Sequence, residues 1–147
     1  FGAIFGTARK MELANEKRAE EIIEFIGLSE VKHELAINLS HGHQRSLNVA
    51  MALAAEPRLL MLDEPVAGMN PAETATMTGI IRKLRKDWGI TVILVEHDMK
   101  TVMDICEYIT VINFGQKLAE GSPSEIISNP EVIEAYLGSE DILEEDF

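Results

Sequence analysis

The chain has 147 residues, of which 46% are hydrophobic, and a formal net charge of −12 at pH 7. This length allows one domain with a packed core, and the acidic balance argues against sequence-independent nucleic-acid binding, which needs a basic surface. No apolar run approaches the roughly 20 residues of a membrane-spanning helix. A lone cysteine, Cys106, allows no internal disulfide and fits a reducing compartment. The chain starts at Phe1 without a basic stretch, so we expect no signal peptide and a polypeptide that continues upstream.

The first part of the chain is predicted to be helical. A helical pattern covers residues 8–26, and Gly27 is suited to end that helix. Residues 28–39 are predicted to be a connection with one helical turn. Ser40 is a candidate N-cap for a second helix, which is rich in alanine and closes before Pro57. So many small residues indicate close packing against another element.

A short apolar run at residues 59–62 leads directly into Asp63, Glu64 and Pro65. The run predicts a buried strand, and Pro65 ends it. Carboxylates at the carboxyl end of a strand are typical of the site that a parallel sheet presents there. One carboxylate can bind Mg²⁺ directly or through water, and the next can act on a water molecule. The alternative is a strand that simply ends in a polar turn.

The rest of the chain alternates between helices and strands. Asn70, with Pro71 beside it and Glu73 three residues on, predicts the start of a helix to about residue 87. A continuous apolar run at residues 90–95 predicts a strand that is buried on both faces. A short helix to residue 105 and a hairpin over residues 108–120 are predicted next. Two further helices start at Ser122 and Asn129. The last of them ends at residue 138, and an acidic tail follows. This order predicts an α/β fold after a helical portion.

Other polar residues lie at positions that suit phosphate chemistry. Ser40 and Gly42 at a helix start expose backbone N–H groups and the positive end of the helix dipole, which suits a phosphate; simple helix capping is the alternative. His97 follows the second strand, where a histidine can contact a phosphate or orient a water; a structural histidine is the alternative. The loop before Asn70 could present backbone to a partner. A metal site at His33, His41 and His43 is disfavoured because ligand-like spacing is absent.

Taken in order, these features strongly resemble the second half of the nucleotide-binding domain of an ABC-type ATPase. The resemblance is carried by Leu39-Ser40-x-Gly42, the strand before Asp63 and Glu64, the loop to Asn70, and the strand before His97. Residues 68–71, 96–99 and 132–138 are similar to the ATPase of branched-chain amino-acid importers, and the lipopolysaccharide-export ATPase is a weaker match. The implied fold is part of a P-loop NTPase-type parallel sheet flanked by helices, with the ABC helical subdomain at its N-terminal end.

The resemblance implies three regions and a role for each matching residue. Residues 1–55 are the helical signature portion, 56–121 the C-terminal part of the RecA-like core, and 122–147 C-terminal helices and an acidic tail. Asp63 matches the Walker B aspartate that supports Mg²⁺, and Glu64 matches the catalytic glutamate, a general base. The remaining matches are His97 as the switch histidine, Ser40, Gly42 and His43 in the signature motif that contacts the opposite subunit's ATP, and Asn70 in the loop that joins the subunits.

The implied protein is the ATP-hydrolysing subunit of a transporter, using ATP and Mg²⁺. Its implied partners are a second ATPase subunit and transmembrane permease subunits, with no nucleic acid and no direct membrane insertion. We therefore expect a cytoplasmic protein that is peripheral on the inner face of the cell membrane. The alternatives are a non-catalytic docking module, the ATPase of another ABC system such as lipopolysaccharide export, and a soluble ABC protein without a transport role.

The chain departs from the family pattern in its signature motif and in its phosphate loop. His41 and His43 replace the third and fifth signature residues, and Met51 stands where the following helix usually has an arginine. No G-x-x-x-x-G-K-[ST] sequence occurs, so the phosphate cradle and its lysine are missing. We therefore expect the isolated chain not to hydrolyse ATP. We also expect exposed strand edges, marginal stability and self-association.

Overall fold

The computed structural model describes residues 2–137, with side-chain environments for residues 7–136. The predicted acidic tail and the predicted end of the last helix at residue 138 lie outside the described residues. The chain divides into two compact units, Phe1–Val95 and Glu96–Phe147. Among the described residues, no helix combines the length and the apolar character needed to cross a membrane.

The first unit contains three helices and two strands. Its elements are α1 (Gly2–Ile26), two 3₁₀ turns (Ser29–Val31 and Ala36–Asn38), α2 (His41–Leu53), β1 (Leu59–Asp63), α3 (Pro71–Lys86) and β2 (Thr91–Val95). The predicted start of the first helix at residue 8 was wrong, because α1 begins at Gly2. Glycine at positions 2 and 6 costs only about 1 kcal/mol each relative to alanine, which does not stop a helix of 25 residues.

Strands β1 and β2 pair in parallel, from Leu59 opposite Thr91 to Asp63 opposite Val95. The predicted parallel sheet is therefore confirmed, but the predicted burial of the second strand on both faces was wrong, because β2 is exposed at alternate positions. Burial alternates along β1, so that Leu60 and Leu62 are buried whereas their neighbours are exposed. One face of the sheet is largely open to solvent. We call it the open sheet face, and its exposed apolar side chains are Leu59 (48% exposed), Met61 (69%), Ile93 (45%) and Val95 (56%).

Trp88, which follows α3, joins that helix to α1. Its ring lies 4.3 Å from the Phe25 ring, measured between centroids. The Arg18 guanidinium lies 4.7 Å from the Trp88 ring centroid, a cation–π contact. Ile22 and Ile26 of α1 are also buried in the core. These contacts place the predicted helical portion against the α/β part of the first unit.

The second unit contains a hairpin and short helices. Its elements are α4 (Met99–Ile105), β3 (Ile109–Asn113), β4 (Gln116–Gly121), α5 (Pro123–Ile127), and α6 (Pro130–Val132), followed by a π-helical turn (Ile133–Leu137). Strands β3 and β4 are antiparallel, which confirms the predicted hairpin. A buried cluster fills the space between hairpin and helices, and it consists of Val102, Ile109, Val111, Ile126 and Val132. The Tyr136 hydroxyl donates to the Ile112 carbonyl and ties the last helical segment to β3.

Candidate functional site

Two acidic residues stand at the carboxyl end of the β1–β2 sheet. Asp63 is the last paired residue of β1, opposite Val95. The Glu64 amide donates to the Val95 carbonyl at 2.8 Å, so the contact between the two chain segments extends one residue past the strand. Both acidic residues are exposed. The predicted position of two acids at the lip of a parallel strand is therefore confirmed, while their roles stay predictions.

The backbone turns sharply at Glu64. Its φ angle is 45°, in the left-handed region, where a residue with a Cβ atom is disfavoured by about 1 kcal/mol. The next two residues, Pro65 and Val66, are buried and anchor the chain after the turn. Buried neighbours on one side and strand pairing on the other thus hold Glu64 in a conformation that it would rarely adopt alone. Such strain is concentrated at functional sites.

Residues 64–70, which we call the acid loop, form successive turns. The Ala67 amide donates to the Glu64 carbonyl at 3.2 Å, and the Met69 amide donates to the Val66 carbonyl at 3.1 Å. Asn70 ends the loop and caps α3, since its Oδ1 accepts from the amides of Ala72 and Glu73, both at 3.0 Å. Glu73 Oε2 accepts from the Asn70 amide at 3.1 Å. The predicted capping arrangement is confirmed, and it fixes where the acid loop ends.

The start of α2 is fixed by Ser40 and by the segment before it. Ser40 Oγ accepts from the His43 amide at 3.2 Å, which confirms the predicted N-cap. Gln44 Nε2 donates to the Leu39 carbonyl at 3.1 Å and so holds the residue before the cap. Ser40 is exposed, and α2 has 13 residues, long enough for an aligned helix dipole. Together these features leave a hydroxyl at the positive end of a helix.

Gly42 brings the start of α2 against the start of α3. It is buried, and a Cβ atom at this position would lie 2.5 Å from Glu73 Oε1, so only glycine permits the approach without movement of Glu73. The two helix starts enclose a cleft of about 200 Å³, whose walls include Gly42, His43, Ser46, Met69, Asn70 and Glu73. The structure therefore brings three predicted nucleotide-binding residues together. Since the carboxylate of Glu73 lies in the wall, an anion inside the cleft would be repelled.

His97 follows β2 and is the second residue of the second unit, which begins at Glu96. Its amide donates to Glu96 Oε2 at 3.1 Å, and its side chain is 72% exposed whereas that of Glu96 is 1% exposed. Asp98 then caps α4 by accepting from the Thr101 amide at 3.3 Å. The predicted position of His97 just after the second strand is confirmed. The structure places it in the second unit, and the acid pair belongs to the first.

The acid pair fits a magnesium ion chemically. Mg²⁺ prefers oxygen ligands and is usually held by one or two carboxylates together with waters and phosphate oxygens. Asp63 and Glu64 supply exposed carboxylates at adjacent positions. Among the residues that the structure describes, no group of three or more His, Cys, Asp or Glu side chains is arranged to hold a metal ion. Asp63 is the residue that would hold Mg²⁺ alongside a phosphate ligand, with the Glu64 carboxylate at the adjacent position.

Sequence reasoning missed two contacts at this site. His41 Nε2 lies 3.3 Å from the Ala67 carbonyl oxygen, although the sequence marked His41 only as a departure from a motif. Glu73 was expected as a capping residue, but its packing against Gly42 was not. Both contacts join residues that are 26 or more positions apart. A pattern of neighbouring residues in the sequence therefore cannot predict them. The one sequence signal is Glu73, three positions after the cap Asn70, and it predicts the capping contact but not the packing on Gly42.

Comparisons with known proteins agree with this architecture. The family model described as ABC transporter matches residues 4–67, and the model described as branched-chain amino acid ATP-binding cassette transporter matches residues 116–142. The structure is similar to the ADP conformation of MJ1267, an ATP-binding cassette of an ABC transporter, with a TM-score of 0.77 and 30% identity over 85% of this chain and 50% of that chain. The parallel sheet, the acid pair and the capped α2 thus lie in an ABC ATP-binding fold.

The chain belongs to the ABC transporter ATP-binding family. Within that family it is similar to two high-affinity branched-chain amino acid transport ATP-binding proteins. It is 46% identical to BraF of Pseudomonas aeruginosa over 88% of this chain and 51% of the relative. It is 49% identical to LivG of Salmonella typhimurium over 82% of this chain and 48% of the relative. The chain therefore spans about half the length of these curated relatives.

Proposed function

We propose that this chain is the C-terminal part of the ATP-hydrolysing subunit of an ABC importer for branched-chain amino acids. The observation that carries the proposal is the exposed pair Asp63 and Glu64 at the carboxyl end of a parallel sheet. That edge is where open α/β sheets bind ligands. The class of cargo rests on the names of the relatives. Export of lipopolysaccharide is the weaker alternative, and an uptake assay with leucine distinguishes the two.

The acid pair divides the chemistry between its two members. Asp63 would hold Mg²⁺, which neutralises charge on the phosphate oxygens when it is bound. Glu64 is one residue further from the sheet, in a fixed turn, and would act as the general base that polarises the attacking water. His97 is exposed and follows the neighbouring strand, and we assign it a contact with the γ-phosphate.

Four residues would contact the nucleotide that a second ATPase subunit holds. They are Ser40, Gly42, His43 and Asn70. Because the Glu73 carboxylate lies in the cleft wall, we place the phosphate contact at the exposed rim, on the Ser40 hydroxyl and the first amides of α2. Asn70 lies at the end of the acid loop, where it would face the second subunit. The close packing of Gly42 on Glu73 holds the start of α2 next to the start of α3, and so keeps Gly42 and His43 close to Asn70.

The proposed assembly contains two ATPase subunits and transmembrane permease subunits, which would hold the protein at the inner face of the cell membrane. Residues 1–55 would form the helical signature portion, 56–121 the C-terminal part of the RecA-like core, and 122–147 the C-terminal helices and acidic tail. Since the chain has no phosphate loop, hydrolysis would require polypeptide that supplies one. We therefore propose that the isolated chain is inactive.

The test replaces Glu64 by glutamine in the product of the complete gene, assembled with its permease subunits in lipid vesicles. A lost general base lowers turnover by about 10²- to 10⁴-fold. We therefore expect Glu64→Gln to abolish both ATP hydrolysis and ATP-driven leucine uptake while nucleotide binding persists. Glu30→Gln is the matched control, because Glu30 is an exposed glutamate in a 3₁₀ turn of the same unit. This control should retain the rates of the unmodified protein.

The rival function is a docking module without catalysis. It is favoured by one observation, the open sheet face, which presents four apolar side chains to solvent. Suppose that the complex assembles with permease subunits and that its ATP turnover is the same before and after the Glu64→Gln substitution. That result would support docking and would contradict the catalytic proposal.

A further inference from the structure

We infer that His41 is a positioning residue that fixes the acid loop to the start of α2. The inference rests on the proposed function, because it assigns His41 an effect on the reaction in which Glu64 takes part. His41 is exposed, and its ring lies across from the middle of the acid loop. It is also one of the two histidines that stand in the signature motif in place of other residues.

The His41 ring contacts Ala67 of the acid loop and lies near the next residue, Gly68. Its Nε2 atom lies 3.3 Å from the Ala67 carbonyl oxygen. A Cβ atom added at Gly68 would be 3.4 Å from Nε2 and 3.5 Å from Cδ2, so the ring borders the space that a side chain at this position would occupy. Gly68 has a φ angle of 75°, which a glycine adopts without strain. An imidazole that carries hydrogen on Nε2 donates to Ala67 in either its neutral or its charged form.

Ala67 connects the histidine to the proposed general base. Its carbonyl faces His41 Nε2, while its amide donates to the Glu64 carbonyl at 3.2 Å. A restraint on Ala67 therefore acts on the peptide group that follows Glu64. Since Glu64 already has a disfavoured backbone conformation, loss of that restraint should let the turn relax and the carboxylate shift.

A second contact holds the other end of the acid loop. Glu73 packs on Gly42 and accepts a hydrogen bond from the Asn70 amide. The loop is thus attached to α2 near its middle by His41 and at its end by Glu73. Ser40 and Glu64 consequently belong to one braced unit, in which the phosphate-contacting helix start and the general base keep a constant relation.

The experiment compares three variants in the complete transporter. His41→Phe keeps the ring but removes the donor, His41→Gln restores an N–H group near the position of Nε2, and His33→Phe is the matched control at an exposed histidine of the connecting segment. A single hydrogen bond corresponds to about a 3- to 10-fold change in rate. We expect His41→Phe to lower kcat by that factor with KM for ATP within about twofold. His41→Gln should recover most of the loss.

A structural readout accompanies the kinetics. In His41→Phe, hydrogen exchange at the Ala67 and Met69 amides should become several-fold faster, because both amides lie in the braced loop, while exchange at Leu62 in β1 should not change. Thermal unfolding should match that of the His33→Phe control. If kcat and loop exchange in His41→Phe equal those of the control, or if His41→Gln is as slow as His41→Phe, the inference is wrong.

Glu64→Gln, measured in the same preparation, separates this failure from failure of the proposed function. Abolished turnover in Glu64→Gln together with normal His41→Phe kinetics would overturn only the role of His41. Unchanged turnover in Glu64→Gln would overturn the catalytic proposal itself.

Discussion

The two small sheets of this chain each bury one face, but they differ in how much apolar side chain the other face leaves to solvent: four large apolar residues in β1 and β2, and Ile112 alone in the described strands β3 and β4. The β3–β4 hairpin packs Ile109 and Val111 into a buried cluster with Ile126 and Val132 from the following helices. The β1–β2 pair buries Leu60 and Leu62 on one face and leaves the open sheet face to solvent. An antiparallel hairpin can be completed by nearby helices, whereas parallel strands are normally covered on both faces. The sheet that carries the acid pair is therefore the less complete of the two.

This difference links structure to the proposed function. Parallel strands present their carboxyl ends at one edge, which suits a site but leaves two faces and two edges to be covered. The acid pair and the exposed apolar side chains thus belong to the same sheet, β1–β2. If the chain forms part of a longer ATPase, as we propose, the open sheet face is the surface on which we expect the additional polypeptide to pack.

The largest expected effect comes from the core of the second unit. Ile126 is 1% exposed, and truncation of such a residue leaves a cavity, so Ile126→Ala should lower the free energy of unfolding by about 3 kcal/mol. Ile93→Ala removes the same atoms from the open sheet face and should cost less than about 1 kcal/mol. Urea unfolding of both variants measures the difference. Equal losses would show that the open sheet face is covered in solution.

A charge on the open sheet face should change the association of the isolated chain. We expect the unmodified chain to form larger species as its concentration rises, because apolar side chains and free strand edges are available there. Met61→Lys should lower the average molecular mass measured by light scattering toward that of the monomer. Ile112→Lys is the matched control on β3, where the exposed side chain belongs to the more complete sheet. A chain that is monomeric at every concentration, or an equal effect of both substitutions, would show that the open sheet face does not drive association.

The smallest effect concerns the cap of α5 in the second unit. Hydrogen bonds from the Ser122 backbone amide and then from its hydroxyl lower the pKa of Glu125 from its ordinary value of 4.5. The folded state therefore prefers the charged carboxylate, so the stabilisation is complete above pH 4.5 and disappears as pH falls through the lowered pKa. Glu125→Gln should be less stable than the unmodified chain at about pH 7, where the carboxylate is charged. The difference should vanish at low pH, and a difference independent of pH would contradict this origin.

Local signals predicted the frame of this structure well. The caps at Ser40, Asn70 and Ser122 were read from short polar sequences, and each of these residues precedes a helix in the structure. The position of the acid pair followed from four apolar residues and a proline. Such features depend on neighbours in the sequence, so the sequence contains what is needed to predict them.

Features that depend on distant residues could not be predicted in this way. A continuous apolar run does not reveal whether both faces of a strand are covered, and β2 is exposed at alternate positions. The left-handed turn at Glu64 is set by strand pairing and buried neighbours, since glutamate has no preference for it. The contact between His41 and Ala67 spans 26 positions and became visible only in three dimensions.

The most direct test of the central claim is ATP hydrolysis by two purified samples at equal concentration. One sample is this 147-residue chain, and the other is the product of the complete gene with its permease subunits. We expect no steady turnover for the chain alone, which lacks a phosphate loop, and turnover in the complete assembly that is lost in Glu64→Gln. Steady hydrolysis by the isolated chain that disappears in Glu64→Gln, or an assembly with no hydrolysis, would contradict this expectation.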